Sequence, residues 1–157
     1  MDQEKGNEMD NKEAISVLND LIETSKDGEK GFRECAEDVK SAQLKTFFNQ
    51  RAQECGEAAR ELQRQVSSMG GDPETSSSLS GTVHRRWVDL KSMITGKDDE
   101  AILNECERGE DVALKNYKAA LQKDLPPAAR SLVEKQLHGV QRNHDQVKSL
   151  RNTARVN

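Results

Sequence analysis

The run Met69–Gly81, MGGDPETSSSLSG, constrains this chain more than any other stretch. Glycine, proline and serine are dense there and hydrophobic periodicity vanishes, which marks a connection rather than an element. It is too long for a hairpin turn. On both sides of it the pattern is helical, and each side is divided once more by a short break. Those breaks are Lys40–Ala42 and Asp124-Leu125-Pro126-Pro127, the second with Pro127 suited to the first turn of a following helix. Helix connections this short force antiparallel neighbours. The chain therefore predicts two helical hairpins joined by one long connection.

Residue usage agrees. Ala, Leu, Glu, Lys, Gln and Arg dominate over Val and Ile, which favours helix over strand. A length of 157 residues suits one domain with a real core. The expected fold class is all-α, a four-helix bundle with long helices over about 11–40, 43–68, 98–123 and 127–151. Residues 1–10 and 152–157 read as a disordered and a frayed tail. Within the crossover 69–97, Val83, Trp87, Leu90 and Ile94 share one face of a short extra helix. His84-Arg85-Arg86 would start that helix, with Trp87 packing it onto the bundle; an anion or partner contact is the functional alternative.

Charged residues make up 33% of the chain and both signs are interspersed, for a net charge of −4. A dedicated nucleic-acid surface would show a basic stripe, so no nucleic-acid partner is expected. No apolar run is long enough to span a bilayer, and the polar start MDQEKGNEMDNKE is not a secretory signal. These features point to a bacterial-type cytoplasmic protein without a membrane partner. Cys35, Cys55 and Cys106 are odd in number, far apart and without CxxC spacing, and read as small, reduced core residues. No Gly-rich phosphate loop, Gly-x-Ser-x-Gly elbow or credible Ser/His/Asp set is present.

The candidate chemistry lies where the apolar stripes are interrupted. In the third helix Ile102, Cys106, Ala113, Tyr117 and Ala120 recur at helical spacing, and Glu110 occupies a position of that stripe. A carboxylate facing a bundle core is costly unless paired, protonated or bound to metal. The first helix repeats the anomaly: Ile15, Leu18, Ile22, Ser25, Phe32, Ala36 and Val39 form its stripe, with Glu29 at one step and Gly28 and Gly31 flanking it. Those glycines suggest a close neighbour or a bulge. In the second helix Glu54 and Glu57 border the stripe Leu44, Phe47/Phe48, Arg51, Cys55, Ala58, Leu62 and Val66. The fourth carries Gln141 and His144 beside Val133, Leu137, Val140 and Val147.

A rise of roughly 1.5 Å per residue places Glu29 and Glu54 about 18 and 20 Å from a turn near Ser41, and so side by side. On the same scale Glu110 and Gln141 lie about 22 and 24 Å from a turn at Leu125, with Glu107 and His144 one layer further out. A di-iron or di-manganese carboxylate bundle uses a Glu from each of two helices and Glu-x-x-His from each of the other two. Here the candidate metal ligands are Glu29, Glu54, Glu57, Glu107, Glu110, Gln141 and His144, for iron or manganese. Glu57 stands where imidazole is expected and Gln141 where Glu is expected.

The MGGDPE turn, the GTVHRRW start of the crossover helix, ECERGED, the LPPAAR turn and RNHDQVKSLR carry a resemblance. From about Ile15 to Leu150 the chain resembles an uncharacterised bacterial ferritin-like four-helix-bundle family, distantly similar to rubrerythrins. The resemblance implies a ferritin-like fold and no established activity; its rubrerythrin-like relatives bind di-iron and handle oxygen or peroxide. Two functions follow as expectations. One is a metal-binding or oxidative-stress protein. The other is a non-catalytic bundle, including a homodimer, that acts by protein–protein contact and keeps its polar layer as ion pairs or hydrogen bonds.

Overall fold

The computed structural model describes residues 2–75 and 99–156, with side chains from Asn11 to Thr75 and from Asp99 to Thr153. The expected crossover helix and His84-Arg85-Arg86-Trp87 lie outside the described residues. Among the described residues there are four helices: α1 Asp2–Asp38, α2 Ala42–Ser68, α3 Asp99–Leu121 and α4 Pro127–Val156. Among the described residues there is no strand. Helix α1 reaches back to Asp2 and α4 on to Val156, past the boundaries read at 11 and 151. Periodic burial marks where a helix packs, whereas the helical backbone continues past the last packed turn at both ends.

The helix ends follow from local chemistry. Ser41 caps α2 from an extended backbone (φ −66°, ψ 126°), its side chain accepting from the Leu44 N–H. Helix α2 stops in a Schellman motif: Gly71 N–H donates to the Val66 carbonyl, Gly70 N–H to that of Ser67, and Gly70 takes φ 83°. Only glycine adopts that backbone without strain. The next residues turn back along the first hairpin, where Asn19 donates to the Asp72 carbonyl and accepts from the Glu74 N–H. After α3, Arg130 donates to the Leu121 and Lys123 carbonyls, satisfying the helix C-terminus from the first turn of α4.

Contacts between helices set the topology. Asp99, at the start of α3, accepts from the backbone N–H groups of Lys40 and Ser41 in the α1–α2 turn. Ser25 meets Tyr117 and Cys35 meets Cys106, so α1 and α3 run antiparallel. Glu54 meets Asn143, and Gln136 meets the Ala58 carbonyl, so α2 and α4 also run antiparallel. Helices α2 and α3 therefore point the same way, and the chain leaves α2 at the opposite end of the bundle from where α3 begins. Asp99→Ala is expected to cost about 1–3 kcal/mol, because two N–H groups lose a charged acceptor. A urea midpoint measured at neutral pH checks it.

Two apolar clusters fill the interior. One gathers Phe32, Cys35, Val39, Phe48, Ile102 and Val147 near the α1–α2 turn. The other gathers Leu18, Ile22, Leu62, Val66, Tyr117 and Val133 toward the far end. Between them lies a band in which Ser25, Asp27, Arg51, Glu110 and Gln136 are buried. Gly28 is in this band, and a Cβ there would come within 3.1 Å of the Cys55 sulfur. The glycine thus serves a close approach of α1 to α2, and α1 passes through it without a break.

Candidate functional site

Glu110 does face the core, and is 3% exposed. Its partner is Arg51 of α2, which is 4% exposed. Arg51 Nη2 donates to Glu110 Oε1 at 3.0 Å and Nη1 to Glu54 Oε2 at 2.8 Å. The Arg51 guanidinium also lies 5.1 Å from the centre of the Phe32 ring. Asn143 of α4 donates to the same Glu54 oxygen. Burial pushes the Glu110 carboxyl up, and the charge and hydrogen bond of Arg51 only partly offset that push. Burial also works against the Arg51 cation, but its carboxylate partners prevail and raise its pKa.

A second polar string crosses the bundle beside the first. Tyr117 donates to Gln136 Oε1 at 2.7 Å and takes the Ser25 hydroxyl as its other partner at 3.2 Å. Gln136 then donates to the Ala58 carbonyl at 3.2 Å. One chain of hydrogen bonds thereby links α1, α3, α4 and α2. Every group in it is satisfied, which is what a polar core layer needs to be tolerated.

The two strings bound a cavity of about 220 Å³. Phe32, Cys55, Val112, Ala113 and Val140 supply its apolar wall. Exposed Glu57 and Lys135 stand at its rim on the side of α2 and α4. Cys55 lines it too, and burial together with the Glu110, Glu54 and Glu29 carboxylates pushes its thiol up to about 12, against the pull of Arg51.

The structure scatters the other expected ligands. Glu29 pairs with Arg33 at 3.1 Å, and its carboxylate lies against Gly56. Glu107 pairs with Arg151. His144 Nε2 meets Asp111 at 2.6 Å, and Gln141 donates to Asp145 at 3.1 Å. Glu57 is exposed. Of the seven, only Glu54, Glu57 and Glu110 line the cavity. Among the described residues no three His, Cys, Asp or Glu side chains are grouped so as to hold a metal ion. The donor set does not fit a di-metal centre, because the guanidinium of Arg51 occupies the space and the charge that a cation would take between Glu54 and Glu110.

Side-chain lean explains the altered levels. Every Cα–Cβ bond tilts toward its helix N-terminus, so in an antiparallel pair the two sets lean opposite ways along the common axis. Counting Cα positions outward from a turn therefore pairs some residues two or three positions too early on the second helix. Glu29 meets position 56 rather than 54, and Asp111, beside Glu110, meets His144 rather than Gln141. Gln136 and Asn143 escaped the sequence reading, although Gln136 stands three residues after Val133 and four before Val140, on the same stripe.

Fold and site together define a four-helix bundle whose centre is a buried arginine–carboxylate pair beside a cavity. The profile of the family described as "Domain of unknown function (DUF2383)" matches residues 13–123, and the chain belongs to that family. No curated protein matches it. Among the described residues no helix is long and apolar enough to cross a membrane.

Proposed function

We propose that this chain is a ferritin-like bundle that works without catalysis, as a binding module. Its central cavity takes a small molecule with an apolar body. The parallel course of α2 and α3 supports the ferritin-like reading, since that topology has one long crossover between its second and third helices. The observation that carries the function is the cavity of about 220 Å³ itself, held open by hydrogen-bonded strings on two sides. Engineered apolar cavities of about 150 Å³ already take up benzene or xenon. The half-buried apolar side chains Phe47, Ile15, Leu132 and Leu137 pack onto the two core clusters, which gives less support to a protein–protein contact face.

A thermal-unfolding experiment with benzene as the probe tests this. Binding to the folded state alone raises Tm by mass action. Benzene-saturated buffer is expected to raise the Tm of the wild type and to leave Ala113→Leu, which fills the cavity, unmoved. An equal response of the two proteins overturns the reading. Titration with Fe(II) or Mn(II) forms a second arm. Saturable binding that disappears in Glu110→Ala would restore a metal function and overturn the proposal.

A further inference from the structure

Cys35 of α1 and Cys106 of α3 are separated by 71 positions in sequence, yet their sulfur atoms lie 3.1 Å apart. Both are free thiols, and both belong to the apolar cluster near the α1–α2 turn, with exposures of 1% and 0%. A disulfide requires an S–S distance of about 2.0 Å, so the sulfurs must close by roughly one ångström. The pair joins the first hairpin to the second: Cys35 lies on the hairpin of α1 and α2, and Cys106 on that of α3 and α4. No turn or loop separates the two sulfurs, and Cys55 is engaged elsewhere, against Gly28.

We propose that Cys35 and Cys106 form an oxidisable dithiol, a covalent modification site whose co-reactant is a small-molecule disulfide and whose product is a staple between the two hairpins. The site is protected in the closed bundle. Burial and the hydrogen bond to Cys35 hold the Cys106 thiol well above the ordinary range, which suppresses thiolate. Reaction therefore proceeds through opening at the end of α1, where Cys35 lies one turn from Asp38. The exposed Cys35 thiolate attacks one sulfur of the small disulfide, breaking its S–S bond and releasing one thiolate. Cys106, after losing its proton, attacks the Cys35 sulfur of the mixed disulfide. That step forms the Cys35–Cys106 bond and expels the second small thiolate. Two protein thiols lose two protons and two electrons, and the small disulfide is reduced to two thiols.

The experiment uses the full chain carrying Cys55→Ser, treated with oxidised glutathione at neutral pH. The expected product is a monomer lighter by two hydrogen atoms, with no thiol titratable after denaturation, fully reversed by dithiothreitol. Its Tm should exceed that of the reduced protein, because the bond closes a long loop in the unfolded chain. Cys35→Ser and Cys106→Ser, each added to Cys55→Ser and checked for helix content by circular dichroism, should give no internal bond. A stable glutathione adduct on the two-cysteine protein, a disulfide-linked dimer, or no loss of thiol over hours would each overturn the proposal.

Discussion

Arg51→Met is expected to lower stability by about 3–5 kcal/mol at neutral pH, the range for removing one partner of a buried ion pair. The loss comes from what remains. Glu110 would keep its burial and lose the guanidinium that donates to its Oε1. Its carboxyl already titrates above the ordinary range because burial outweighs Arg51. For an acid with a raised folded pKa, the group's contribution is fully present below the unfolded pKa of about 4.3 and is lost as pH rises through the folded value. Removing Arg51 deletes the largest lowering influence, so that window extends further upward. The deficit of Arg51→Met relative to wild type should be smallest in mild acid and grow toward neutral pH. Adding Glu110→Leu should recover most of it, since a buried ion pair is often replaceable by packed apolar groups. Urea unfolding of the four proteins of this cycle at several pH values measures both effects. A deficit independent of pH would mean that the lost packing of Arg51 on Phe32, and not the charge, governs the site.

Tyr117→Ala is expected to cost about 3–5 kcal/mol, as for other large buried aromatic truncations. The ring is 2% exposed and belongs to the larger apolar cluster, so its loss both removes apolar burial and enlarges a cavity already present. Tyr117→Phe separates the polar share. It keeps the ring but leaves Gln136 Oε1 without its donor, at about 1–3 kcal/mol. Burial also pushes the phenol of Tyr117 well above its ordinary pKa, against the Ser25 hydrogen bond. Its stabilising contribution is therefore present at neutral pH and lost as alkali ionises it. Tyr117 is the single tyrosine, so its tyrosinate absorbance is unobscured by others and should appear only together with loss of helix. Ionisation in the folded protein would show that water reaches the hydroxyl.

The division of labour between sequence and structure is visible in particular residues. Apolar spacing and punctuation sufficed for the helices and the hairpins. A residue's place on a 3.6-residue period decides whether it faces the core, and glycine, proline and capping side chains decide where the path breaks. That is why Glu110 was legible as a buried acid before any coordinates, and why Met69-Gly70-Gly71 was legible as a stop. The same logic placed Arg51 on a core stripe, three residues before Glu54.

Partner choice was decided only in three dimensions. Arg51 could have turned to solvent; it reaches Glu110 because α2 and α3 approach across the bundle, which no local spacing encodes. The seven expected ligands shared a composition with a metal site but not its convergence. Glu29, Glu107 and His144 each found a nearer partner in Arg33, Arg151 and Asp111. Cys35 and Cys106 looked unrelated along the chain and became neighbours through the antiparallel packing of α1 on α3. By itself the sequence determined most of the apolar side chains that go inside, because their burial follows the helical period. Tertiary structure decided which of them meet, because the tilt of side chains and the register of packed helices set contacts to within a single turn.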